Sequence, residues 1–267
     1  MPSSVSVSLP PLHVLVVEDS PVNQIVITQN LRVLGCHTIV AENGRECLAR
    51  FREERFDMIF MDCQMPEMDG YEATRAIRTL EQEEARPRTP IVAVTAHAMP
   101  DDREKCLNAG MDDYIAKPIP EGALRDALVR WVARAPLEKP APEIEKLQPA
   151  LPPSGVDGDT LSGLQDLLQE RCAFILKKYL EMTEASLTHI AQAAAEGDAK
   201  KLATEAHPAK SSSGQIGALR LAALLEQLEI RSAGGTLEGA EELARQARQE
   251  FALVAAHLRE VLHGHTA

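Results

Sequence analysis

Between Ala135 and Gly155, prolines recur at 136, 140, 142, 149, 152 and 153, with charged and small residues between them. Each proline lacks the amide donor that a helix or a strand ladder needs, so no long regular element can cross this stretch. The chain must fold as two units joined by a linker at 135–155, and its 267 residues are enough for two cores. Apolar residues make up 45% but aromatics only 3%. Both cores are therefore to be filled by Leu, Ile, Val, Met and Ala, a composition that favours helices.

Ahead of the linker, short β-branched runs (HVLVV, CHTIV, DMIFM, IVAVT and DYIA) alternate with stretches of ten or more residues at helical spacing. That alternation predicts an α/β unit, a parallel sheet wrapped by helices. Beyond Val156 the strand pattern disappears. Leu176, Leu180, Thr183, Leu187, Ile190 and Ala194 lay one stripe along a helix, and Ala240, Leu243, Ala247, Phe251, Val254, Leu258 and Val261 lay another. Gly197 followed by Asp198 joins a helix stop to an N-cap, and Gly234 with Gly235 marks a further turn. Antiparallel helices on short turns predict an all-α bundle.

A formal net charge of −12 offers no basic face for phosphate backbones, so nucleic acid is not an expected partner. The five cysteines (Cys36, Cys47, Cys63, Cys106, Cys172) are odd in number and contain no C-x-x-C pair. Neither a disulfide framework nor a zinc site is expected, and the chain reads as reduced and cytoplasmic. The opening MPSSVSVSLPP has no basic and apolar leader, and no later stretch nears the roughly 20 apolar residues of a membrane span. No membrane contact is expected.

Three acids fall where strands end: Glu18 and Asp19 after HVLVV, and Asp62 after DMIFM. A parallel sheet brings the carboxyl ends of its strands to one edge, so these sequence-distant carboxylates converge. Crowded carboxylates repel, and a hard divalent cation with oxygen ligands is the simplest way to keep them ionised. Mg²⁺ fits best, because it leaves positions open for water and a phosphoryl group. Thr95 closes IVAVT and Lys117 closes DYIAK, adding a hydroxyl and an ammonium to the same edge. Cation, ammonium and hydroxyl together suit a phosphoryl group carried on a carboxylate, and imply an aspartate nucleophile. His37 and His97 have no partners at ligand spacing and read as surface or loop residues.

VVEDS, FMDCQMPEMDG, VAVTAHA and YIAKPI, in this order and spacing, resemble the receiver (response-regulator) domain of two-component signalling over residues 12 to 134. The resemblance implies a flavodoxin-like doubly wound sheet in the order 2-1-3-4-5 and a cis Lys117–Pro118 bond. It implies Asp62 as phosphoacceptor, and Mg²⁺ bound by Glu18, Asp19, Asp62 and the backbone carbonyl of Gln64. Lys117 would contact the phosphoryl group, while Thr95 and Tyr114 would form the hydroxyl and aromatic pair that reorients on phosphorylation.

In the second half, EAHPAKSSSGQIGA sets His207 among the smallest side chains available. If residues 198–213 are helical, its neighbours one turn away are Ala203, Lys210, Ser211 and Gly214. The buried stripe would be Leu202, Ala206, Ala209 and Ser213, leaving the imidazole on the solvent side. Small neighbours suit a ring nitrogen that another protein's carboxylate crevice must reach, and Lys210 is placed to neutralise phosphoryl oxygens. Imidazole is a good transient phosphoryl carrier, being nucleophilic near neutral pH without a permanent charge.

This segment resembles the histidine phosphotransfer (HPt) domain, a four-helix bundle, and the resemblance spans about residues 156 to 264. It departs from the family pattern in two places: Pro208 directly after the histidine, and Ser211 where glycine is usual. Pro208 predicts a kink near His207. His189, His257, His263 and His265 lack this setting, the last two being expected in a frayed tail.

Together the two resemblances imply a phosphorelay protein like the C-terminal part of hybrid sensor histidine kinases. Its partners would be a sensor histidine kinase and a downstream response regulator. Contact between the two domains is also allowed, since a flexible linker of this length spans roughly 25 Å. Rival readings stay open. The second half could be a docking scaffold with a silent histidine. The first could be an aspartate-nucleophile phosphatase, although that chemistry usually needs an acid two residues after the nucleophile and Gln64 stands there.

Overall fold

A computed structural model describes residues 11–95, 100–120, 122–132, 151–234 and 237–264. The chain forms two units. Most of the proline-rich linker, the expected boundary at 134, and His97 and His265 lie outside the described residues.

The first unit runs β1 (His13–Val17), α1 (Pro21–Val33), β2 (His37–Ala41), α2 (Gly44–Glu53), β3 (Met58–Asp62), α3 (Gly70–Glu83), β4 (Ile91–Thr95), α4 (Pro100–Ala109), β5 (Asp113–Ala116) and α5 (Ala123–Trp131). All five strand runs form, CHTIV and DMIFM each sliding one residue to begin at His37 and Met58. The sheet has the order β2-β1-β3-β4-β5, and every pairing is parallel. Successive strand side chains point to opposite faces, so a run that is apolar throughout suits a sheet covered on both. On β1, Val14 and Val16 join Ile27, Leu31 and Leu128 in one core, while Leu15 and Val17 join Phe51 and Ile77 in the other. Each such side chain contributes about 2 kcal/mol on burial.

Two local devices shape the sheet's ends. At the carboxyl edge, Asp69 caps α3 in a reciprocal box: its carboxylate accepts from the Glu72 amide at 2.7 Å, and Glu72 accepts from the Asp69 amide at 3.4 Å. The chain then passes so close to β3 that a Cβ on Gly70 would lie 2.0 Å from the Asp62 carbonyl oxygen. At the amino edge, the Arg78 guanidinium donates to the Gly110 and Thr89 carbonyls, each at 2.9 Å, and pairs with Glu81 at 2.8 Å and Asp112 at 2.7 Å. Asp112 also accepts from the Ile91 amide at 2.8 Å, tying the starts of β4 and β5 together.

The second unit contains α6 (Gly158–Leu168), a 3₁₀ turn at Gln169–Arg171, α7 (Cys172–Glu196), α8 (Ala199–Gln215), α9 (Leu219–Ala233) and α10 (Ala240–Gly264). Helices α7 to α10 pack in a ring, each against the next and α10 against α7. Both stripes read from the sequence are buried, except that Val261 is half-exposed. Gly197 ends α7 in the left-handed region at φ 73°, and the Asp198 carboxylate accepts from the Lys201 amide at 2.9 Å, so two residues turn the chain. The incoming segment is fixed where the Gly155 amide donates to buried Glu250 at 2.7 Å.

Helix α8 runs on through Pro208. The carbonyl that forfeits its donor belongs to Thr204, an exposed residue where water can take the donor's place. His263 lies within α10 rather than in a frayed tail, because the helix continues to Gly264. All five cysteines are free and buried. Among the described residues, no helix is long and apolar enough to cross a membrane.

Gly70→Ala is expected to destabilise the first unit by about 2 kcal/mol or more, since neither the Asp62 carbonyl nor β3 can yield to the added carbon. Thermal unfolding should show it as a lowered transition assigned to this unit.

Candidate functional sites

Strand register explains why the acids meet. Asp62 on β3 lies opposite Val94 on β4, and Thr95 lies opposite Ala116, the residue before Lys117. Glu18 and Asp19 follow directly on β1. Ligand oxygens of Glu18, Asp19 and Asp62 all lie within 4.8 Å of one another. Glu18 and Asp62 are buried and Asp19 is half-buried. Lys117 Nζ reaches between two of them, 2.7 Å from Glu18 Oε2 and 2.5 Å from Asp62 Oδ2. Its backbone amide donates to the Thr95 carbonyl at 2.7 Å, and the peptide to Pro118 is cis. The Gln64 amide donates to Asp62 Oδ1 at 3.1 Å.

The charges do not balance with one ammonium against three acids. Burial pushes the Glu18 carboxyl up to about 8, and Asp62 and Asp19 add to that rise against the pull of Lys117. Burial alone would lower the Lys117 ammonium, but Asp62 and Glu18 outweigh it and its pKa is raised. A site with a permanently charged lysine and surplus negative charge on oxygen donors fits a small hard cation. Of the other predicted residues, Thr95 is buried at the end of β4, and Tyr114 is half-buried beside the core formed with α2 and α3.

In the second unit, Leu202, Ala206, Ala209 and Ser213 form the buried stripe, as their spacing predicts. The expectation for His207 itself needs correction. It is only 8% exposed, and the ring is drawn toward α9, where Nδ1 lies 2.8 Å from Glu229 Oε1. The other oxygen of that carboxylate lies 2.5 Å from Lys210 Nζ. His207 Nε2 is buried and has no hydrogen-bond partner among the described residues. Elsewhere, His189 pairs with Glu205 at 3.1 Å on the surface, and His37 and His257 are exposed.

Glu229 is the residue that reading α8 alone misses. Its signal lies in α9: Leu221, Leu224, Leu225 and Leu228 form the buried stripe, and Glu229 continues it with a charge facing the interior. Burial would raise its carboxyl, but His207 and Lys210 overcome this and hold it at about 2.

Comparison with known proteins finds a match for each unit. Residues 14–129 match the response regulator receiver domain and residues 175–261 match the Hpt domain. The sensor protein GacS of Pseudomonas syringae is 42% identical over 131 residues, 49% of this chain and 14% of that protein. The virulence sensor protein BvgS of Bordetella pertussis is 34% identical over 211 residues, 77% of this chain and 17% of its own. The chain thus spans less than a fifth of either relative. The crystal structure of the receiver domain of sensor histidine kinase PA1611 from Pseudomonas aeruginosa, with magnesium coordinated in its active-site cleft, is 44% identical. That match covers 46% of this chain and 99% of that one, with a TM-score of 0.43. The chain belongs to the two-component phosphorelay proteins, a receiver domain followed by an Hpt domain, homologous to the C-terminal parts of hybrid sensor kinases. Signalling in that class runs through a receiver aspartate and an Hpt histidine.

A carboxyl held low by its folded-state partners contributes stability that is present above its unfolded value and lost as pH falls through the folded one. The cluster around Glu229 should therefore stabilise the second unit fully above about pH 4.5 and lose that contribution toward pH 2. Acid unfolding followed by circular dichroism should show a shallower loss over this window in Glu229→Gln.

Proposed function

We propose that Asp62 accepts a phosphoryl group from the phosphohistidine of a sensor histidine kinase, and that His207 passes phosphoryl to or from a receiver aspartate. The observation that carries the first assignment is the Lys117 ammonium shared between Glu18 and Asp62. The receiver domain is assigned to residues 12–134, the linker to 135–155 and the Hpt domain to 156–264.

Mg²⁺ would be held by Glu18, Asp19, Asp62 and the Gln64 carbonyl, and when bound it supplies charge neutralisation for the phosphoryl oxygens. An Asp62 oxygen attacks phosphorus as the donor's P–N bond breaks and the electron pair returns to the donor imidazole. Lys117 then balances charge on the phosphoryl group, and the Thr95 hydroxyl donates to one of its oxygens. Tyr114 is the aromatic partner of Thr95 in switching. On the second unit, transfer needs a conformation in which His207 Nε2 is open to an incoming aspartyl phosphate. The partners are an upstream sensor histidine kinase and a downstream response regulator, and transfer between Asp62 and His207 of one chain is a further route. A silent histidine on a docking bundle is the competing reading, favoured by the covered Nε2.

Incubation with a phosphorylated histidine kinase and Mg²⁺ tests the assignments. Asp62→Asn should abolish acceptance from the kinase, as should chelation of the metal. His207→Gln should retain base-labile label on Asp62 and lose the acid-labile, base-stable label. Base-stable label that persists in His207→Gln would remove His207 from the relay.

A further inference from the structure

Two histidines that stand far apart in the sequence meet at the amino edge of the sheet. His13 opens β1 and His37 opens β2, and the parallel register sets them directly opposite each other. Their ring centres are 5.0 Å apart. Glu54, which ends α2, brings a carboxylate oxygen to 3.7 Å from His13 Nε2. We infer that His13, His37 and Glu54 form a binding site for a borderline divalent cation, Zn²⁺ being the best match. It stands at the opposite end of the strands from the acids that face Lys117.

The surroundings of His13 prepare it for this role. A carbonyl oxygen only accepts hydrogen bonds, so His13 Nδ1, 2.9 Å from the Arg55 carbonyl, must donate to it. A neutral imidazole has one N–H, and placing it on Nδ1 leaves the lone pair on Nε2, the nitrogen that faces Glu54. A backbone carbonyl behind the other nitrogen is the usual setting of a metal-binding histidine, because it fixes the tautomer and the aim of the ring. The ring also packs on Phe56, centre to centre at 4.8 Å, and the Asp57 carboxylate accepts from the His13 amide at 2.7 Å.

The spacings suit a single ion. On a tetrahedral Zn²⁺ with bonds of about 2.1 Å to nitrogen and oxygen, two imidazole centres lie about 5 Å apart, and a carboxylate oxygen lies about 3.4 Å from a ring nitrogen. The observed 5.0 Å and 3.7 Å are already close to both. His37 is exposed, and turning its ring about the two side-chain torsions can aim a nitrogen at the same point. Three protein ligands leave the fourth position to water. Two imidazoles and one carboxylate favour Zn²⁺ over Mg²⁺, which prefers oxygen donors. The two ends of the sheet therefore differ in the cation they select, and an ion at the amino end would clip β1 to β2 and to the end of α2.

The test is a titration of the full chain with Zn²⁺ near neutral pH in excess Mg²⁺, read by imidazole ¹⁵N shifts and by thermal unfolding. In the wild type, Zn²⁺ should move the ring signals of both His13 and His37. It should also raise the thermal transition of the first unit, because the ion finds its three ligands together only in the folded strands. His37→Gln should lose the His13 shift and the thermal rise. Glu54→Gln, which keeps the shape and removes the charge, should weaken both, and circular dichroism shows whether each variant is folded. Zn²⁺ that leaves either ring signal in place, as binding confined to Glu18, Asp19 and Asp62 would, overturns the proposal. So does a folded His37→Gln that keeps the wild-type His13 shift and thermal rise.

Discussion

Lys117 Nζ, 2.5 Å from Asp62 and 2.7 Å from Glu18, is the contact on which the first unit's chemistry depends. Two buried carboxylates that close would otherwise protonate or separate, because burial and mutual repulsion act in the same direction. One ammonium keeps them together without satisfying the whole site. The acids therefore remain short of positive charge, which is the condition for taking up a cation and a phosphoryl group in turn. The lysine is itself held by its backbone amide on the Thr95 carbonyl, so the register of β4 and β5 decides where the charge sits.

The second unit repeats the logic with the signs exchanged. There Glu229 is the single anion, and His207 and Lys210 are the two groups that converge on it. In each unit a buried ion pair orients the residue proposed to be reactive. Removing one member would leave an uncompensated charge in an apolar setting, which is strongly destabilising. The same side chains therefore serve both folding and chemistry.

Much of this was legible in the residues. The strand runs are apolar at nearly every position, a pattern that only a sheet covered on both faces accommodates, and their terminal acids mark the edge where they meet. The helix stripes of α7 and α10, and the turn at Gly197 and Asp198, follow from period and cap chemistry. The environment of His207 was harder to read. Its own helix offers small neighbours and suggests openness, but the ring's position is decided by Glu229 on a different helix. Periodicity shows that Glu229 faces inward among leucines, and not which side chain across the helix boundary it meets.

The Arg78 network has a consequence for movement. It rivets the starts of β4 and β5 through Thr89, Gly110, Asp112 and Ile91, at the opposite end from Asp62. At the acid's end the same two strands are joined by the Lys117 amide on the Thr95 carbonyl, a single backbone contact in place of a guanidinium network. Any shift of β4 and β5 beside Asp62 is therefore held to a tilt about their amino ends.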